Sequence, residues 1–173
     1  MQERKVIWSF AHAGRPDFDQ ARTAIDLGAE LGIDGIEIET DLEKCLTYDS
    51  LPQLRAAVDA PRAEARRDAV RRIAAYAKER GLRVSQWLHD LSGPRPLLDL
   101  WPELKAPDGF LDLQSPLVPR LIAARLAEFF SRVPEVDDVT LTMTETQVCV
   151  LHRPYSKVPL VDRALWIIQA VAD

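Results

Sequence analysis

Three side chains able to move protons, Glu39, His89 and Glu145, stand at the ends of short β-prone runs. Carboxyl and imidazole groups exchange protons with bound reactants, the imidazole near neutral pH, and both hydrogen-bond hydroxyl groups. Other side chains enlarge the set. Glu37 precedes Glu39 by two positions, Trp87 precedes His89 by two, and Asp90 follows it directly. His12 comes just after the first β-prone run, and Arg153 lies in His152-Arg153-Pro154-Tyr155 after the fourth. The Trp87 ring offers an apolar face, and the planar fork of Arg153 favours a carboxylate.

The elements that position these residues follow from periodicity. Val6-Ile7-Trp8-Ser9-Phe10 predicts a strand, His12-Ala13-Gly14-Arg15-Pro16 a loop, and Asp17 a helix N-cap. Ala21, Ala24, Ile25, Gly28 and Leu31 recur at helical spacing, and Gly32 suits a left-handed helix end. Asp34-Gly35-Ile36-Glu37-Ile38-Glu39 alternates with period two. Ile36 and Ile38 therefore point toward packed helices, leaving Glu37 and Glu39 on the interior side.

A charge-rich connection through residues 41–61 leads to a helix over about 62–80. Its apolar face carries Ala65, Ala69, Val70, Ile73, Ala74 and Ala77. The opposite arginines, from Arg62 to Arg72, are interleaved with Glu64, Asp68 and Glu79, as on a solvated face rather than a polyanion site. Gly81 ends this helix, and Leu82 to Asp90 predicts a third strand. After a proline-punctuated loop, Ser115 and Pro116 serve as N-cap and first-turn proline of a helix reaching Arg132. A fourth strand spans Asp138 to Glu145. The last helix, Pro159 to Val171, buries Leu160, Ala164, Leu165, Ile168 and Val171.

Strands alternating with helices predict an α/β fold with a parallel sheet and right-handed crossovers. We expect a single domain over residues 1–173, four strand–helix repeats forming half of, or a partial, TIM barrel. An open doubly wound sheet is the alternative, but His12-Ala13-Gly14-Arg15 matches neither GxGxxG nor a P-loop. A complete barrel takes about 250 residues. The second half is then missing, supplied by another copy, or unnecessary; a truncated chain is one expectation, and a homodimer that closes the ring is the physical alternative.

Composition bounds the partners. With 22 Lys and Arg against 27 Asp and Glu, the net charge of −5 disfavours nucleic acid. Cys45 and Cys149 form no CxxC pair, which suggests a reducing, cytoplasmic setting. No stretch approaches the roughly 20 apolar residues that cross a bilayer, so no membrane partner is expected.

Two stretches invite family comparison. Ala29 to Glu39, followed by Ala77 to Val84, resembles the early units of xylose-isomerase-like TIM barrels. Pro102-Glu103-Leu104 through Asp108-Gly109, and Val133 through Thr146, resembles TIM-barrel glycoside hydrolases, in which a helix, a short loop and a strand deliver a carboxylic acid at the end of strand four. That resemblance implies a carbohydrate ligand and makes Glu145 the proton donor, with His89 a second catalytic group. Glu39, Trp87, His12, Asp90 and Arg153 would then bind the sugar. Many such enzymes place an asparagine before the acid and a nucleophile on strand seven; here Thr144 precedes Glu145, and the chain has no seventh strand. Strict alternation also sends Glu145 outward with Val139, Leu141 and Met143 unless the strand bulges or ends near Thr144.

No cofactor or metal is expected, because Glu39 and His89 supply two ligands at most. The alternatives are a divalent-metal sugar isomerase or epimerase and a non-catalytic sugar-binding or assembly half-barrel.

Overall fold

The computed structural model describes residues 5–10, 17–89, 97–107, 109, 111–112, 114–142 and 159–172. Four strands, β1 (Ile7–Phe10), β2 (Gly35–Ile38), β3 (Arg83–His89) and β4 (Asp138–Thr142), alternate with helices. The helices are α1 (Phe18–Glu30), α2 (Pro52–Arg55), α3 (Ala60–Glu79), α4 (Leu97–Leu100), α5 (Leu117–Arg132) and α6 (Leu160–Ala172). The strands form one parallel sheet in the order β1-β2-β3-β4. Right-handed crossovers in an order that never reverses put every crossover helix on the same face, whereas a doubly wound sheet needs a reversal. The chain is thus an α/β fold of the partial TIM-barrel kind.

Local chemistry sets the helix ends. Asp17 caps α1, its carboxylate accepting from the backbone N–H groups of Asp19 and Gln20 at 3.0 and 3.4 Å. Gly32 and Gly81 turn the chain out of α1 and α3 at φ +74° and +77°, values that cost other residues strain. Asp59 and Pro61 start α3 two residues earlier than the arginine pattern predicts, with the Asp59 carboxylate accepting from Arg62 N–H at 3.2 Å. That start makes Ala63 the first buried position and leaves Ala65 exposed. At α5, Ser115 sits one residue ahead of the N-cap position, and its hydroxyl accepts from Leu117 N–H at 3.3 Å.

One face of the sheet carries the core. Ile36, Ile38, Val84 and Leu88 pack with Ala21 and Ile25 of α1, Val70, Ile73, Ala74 and Ala77 of α3, and Leu121, Ile122 and Phe129 of α5. Two helices depart from expectation. Leu31 of the α1 end, and Leu165 and Ile168 of α6, are exposed, while Arg163 and Ile167 turn α6 inward.

The connection after β2 is not a solvated linker. Leu42, Cys45, Leu46, Tyr48, Leu51 and Leu54 are all buried, and its 3-10 turn Leu42–Cys45 packs among α3, β3 and α5. Glu128 of α5 holds this segment: its carboxylate accepts from the backbone N–H groups of Thr47, Tyr48 and Asp49 and from the Thr47 hydroxyl, at 2.6 to 3.2 Å. The three successive N–H groups converge because Tyr48 takes a left-handed conformation, φ +56°.

Candidate functional site

The face of the sheet opposite the core is polar. Parallel register places Ser9 beside Glu37, Glu37 beside Ser85, Ser85 beside Asp138, and Trp87 and His89 beside Thr140 and Thr142. Because side chains alternate along a strand, all of these share one face. Glu37 and Glu39 are therefore on the interior side, as the alternation predicts, and both are half-buried.

The contacts on this face run along the sheet. The Ser9 hydroxyl lies 2.7 Å from Glu37 Oε1 and 2.5 Å from Glu39 Oε1. Trp87 Nε1 donates to the same Glu37 oxygen at 2.7 Å. The Trp87 ring meets the His89 imidazole edge to face, with centroids 5.4 Å apart. His89 Nδ1 lies 3.1 Å from Asp41 Oδ2, both side chains being largely buried. Toward the start of the strands, Ser85 and Thr140 share a hydrogen bond of 2.9 Å, and Arg83 pairs with Asp138 at 2.5 Å.

Three of the predicted site residues, Glu39, Trp87 and His89, are thus brought onto one surface. The other four, Glu145, His12, Asp90 and Arg153, lie outside the described residues. Two contributors were not predicted. Asp41 sits two positions past Glu39, and the same spacing that assigns Glu37 and Glu39 to one face would have found it. Ser9 carries no comparable signal, since a strand serine becomes informative only once its register against Glu37 is known.

Asp41 has a second task, for its other carboxylate oxygen accepts from Glu43 N–H at 3.3 Å and caps the 3-10 turn. Beneath it, burial and the neighbouring Asp41 push the Glu43 carboxyl upward against the pull of Arg125. Burial likewise pushes the Cys45 thiol up to about 12, which makes it an inert core residue rather than a nucleophile. A cleft of about 190 Å³ opens between the 3-10 turn and α3, bordered by Glu43, Lys44, Arg62 and Arg66. It belongs to the helical layer and is separate from the polar face.

Chemically, the polar face is rich in acceptors. One serine proton serves one carboxylate at a time, so Glu37 and Glu39 retain acceptor capacity for a ligand bearing several donors. His89 is oriented through Nδ1 by a carboxylate, the arrangement that fixes an imidazole for proton transfer. Among the described residues, no group of three or more His, Cys, Asp or Glu side chains is arranged to hold a metal ion. No described helix is long and apolar enough to cross a membrane.

Comparison with known proteins places the fold. No family model matches the sequence, and no curated protein does. Solved structures do match. A GH138 enzyme targeting pectin rhamnogalacturonan II aligns with 84% of this chain and 19% of its own at a TM-score of 0.60 and 15% identity. The GH20 beta-N-acetylhexosaminidase from Streptomyces coelicolor A3(2) aligns with 98% of this chain and 36% of its own, TM-score 0.58, again at 15% identity. The beta-N-acetylhexosaminidase from Bacteroides fragilis NCTC 9343 gives 96%, 40%, 0.57 and 15% in the same order. The chain spans less than half the length of each of these structures, and at this identity the likeness is one of fold: a partial barrel of the kind found in glycoside hydrolases.

Proposed function

We propose that this chain is the carbohydrate-binding half of a glycoside-hydrolase-type barrel. The observation that carries the proposal is the acceptor-rich row Glu37, Glu39 and Asp41, set beside Trp87 and His89 on the polar face of the sheet. Sugars present many hydroxyl donors together with apolar ring faces, and this surface offers carboxylate acceptors next to an aromatic ring. Barrel enzymes use the carboxyl ends of their strands for chemistry, and Glu39, Asp41 and His89 all lie at such ends. Glycosidic cleavage needs a carboxylic acid to protonate the leaving oxygen and a second carboxylate as nucleophile or base. Glu145 takes the acid role, His89 assists proton movement, and His12, Asp90 and Arg153 bind the sugar.

Saccharide binding is tested first, by calorimetry against a panel of neutral, acidic and N-acetylated oligosaccharides. Trp87→Ala and Glu39→Gln are each expected to weaken binding by about tenfold, near 1.4 kcal/mol. The second arm measures hydrolysis by the protein with its barrel complete, where Glu145→Gln should remove activity. Full activity in Glu145→Gln ends the acid assignment, and unchanged binding in both other variants ends the sugar-site assignment.

A further inference from the structure

Seven large apolar side chains are exposed among the described residues: Val6, Ile7, Leu27, Leu31, Val161, Leu165 and Ile168. They are not scattered. Val6 and Ile7 lie at the start of β1, which among the described residues forms one edge of the sheet. Leu27 and Leu31 lie on α1 and at its end, beside that edge, and Val161, Leu165 and Ile168 lie on α6, the helix that follows the other edge strand, β4.

Helix geometry says which flanks these are. On α1, Phe18 and Asp26 turn toward α3, where Phe18 meets the Tyr76 ring edge to face and Asp26 accepts from the Tyr76 hydroxyl at 2.7 Å. At about 100° per residue, Leu27 and Leu31 fall on the flank turned away from α3. On α6, Val161, Leu165 and Ile168 follow spacings of four and three, so they form one stripe. Val161 and Ile168 turn from the buried Arg163 and Ile167 in the same rotational sense in which α1 turns from its own buried stripe toward its successor, while Leu165 stands on the outer side of the helix, opposite the core. The Val161 and Ile168 side of the stripe borders the flank that a next strand–helix unit covers in a barrel. Beside it, α6 has only Asp162 and Arg163 as charged groups, and Arg163 is buried.

We propose that these two flanks are one self-complementary interface, and that two copies of this chain join through it to close an eight-stranded ring. A two-fold axis along the barrel axis keeps all strands parallel. It sets β4 of one copy beside β1 of the other, and lays the Val161, Leu165 and Ile168 stripe on Leu27 and Leu31. Both open edges are covered at once, and eight is the strand number at which such a sheet closes around packed side chains. The polar face carrying Glu37, Glu39, Trp87 and His89 becomes an enclosed site only on closure.

Sedimentation equilibrium of the whole chain across a range of concentrations tests this. The expected particle has twice the 19.5 kDa chain mass and does not grow further. Leu165→Glu with Ile168→Glu, at positions exposed in one copy, should raise the dimer dissociation constant by about tenfold or more while leaving the circular dichroism spectrum unchanged. Leu27→Glu with Leu31→Glu on the opposite flank should do the same, and Arg62→Glu, away from both flanks, should not. A monomer at all concentrations overturns the proposal, as do oligomers that lengthen with concentration, or a dimer indifferent to both double variants.

Discussion

Asp41 Oδ2 lies 3.1 Å from His89 Nδ1 and joins the chain just after β2 to the end of β3. The same carboxylate caps the 3-10 turn through Glu43 N–H. Asp41→Asn separates the two tasks, because asparagine caps nearly as well as aspartate but carries no charge toward the imidazole. Thermal stability should change by less than about 1 kcal/mol. Any proton-transfer step that uses His89 should slow by about 100-fold or more, the lower range for general acid–base catalysis. Rate measurements, paired with melting curves, give both readouts, and a variant that loses stability but keeps its rate would show that Asp41 serves only the fold.

Glu128 gives a second prediction. Its carboxylate gathers three backbone N–H groups and one hydroxyl from the 47–49 segment. Glu128→Ala leaves those donors without their acceptor in a part-buried position, which should cost about 2–4 kcal/mol. Glu128→Gln keeps one acceptor oxygen and should cost distinctly less. Urea unfolding of the three proteins orders them; equal loss in both variants would mean that helix packing, rather than the carboxylate, is what matters.

The contrast between these two regions explains what was legible in the sequence. Strand–helix alternation, the glycines at 32 and 81, and the placement of Glu37 and Glu39 on one face follow from periodicity and backbone sterics, which act locally. The packing of residues 41–59 was not legible, since its buried Leu42, Leu46, Tyr48 and Leu54 follow no regular period and their partners come from α3, β3 and α5. Alternation would have reached Asp41, but it stands just past the strand, where the period ordinarily lapses. On α6 the pattern showed that Leu165 and Ile168 share a face with each other. It could not show that no described neighbour covers that face, nor that Arg163 lies buried.

Two carboxylates should give stability opposite dependences on pH. Partial burial would raise the Asp137 carboxyl, but the Lys78 ammonium at 2.7 and 2.9 Å and the Val84 N–H at 2.8 Å outweigh it and hold the group below its ordinary 3.8. Its contribution is present above that ordinary value and is lost as pH falls through the lower folded value. Glu43 is shifted the other way, chiefly by burial, so the folded state holds that proton more tightly than the unfolded chain, and ionisation opposes folding as pH rises past the ordinary 4.5. Asp137→Asn should therefore lose stability at neutral pH and converge on the parent in strong acid. Glu43→Gln should gain relative to the parent as pH rises from 4.5 toward neutral. Denaturant midpoints across pH test both signs, and parallel curves for parent and variant would refute the corresponding assignment.

Tyr48 supplies the sharpest test of the packed connection. Its side chain is 1% exposed, and its hydroxyl has no hydrogen-bond partner among the described residues. Burial accordingly pushes the phenol well above its ordinary range. An unpaired buried hydroxyl carries a desolvation cost of about 1–3 kcal/mol that the ring's packing must overcome. Phenylalanine keeps the ring and has the same Cβ at φ +56°, so the backbone strain is unchanged. Tyr48→Phe should therefore stabilise the protein by about 1 kcal/mol, which for a chain of this size raises the melting temperature by about 2–4 °C. A fall in melting temperature of that size would reveal a partner for the hydroxyl, and with it a different packing of the segment that Glu128 holds.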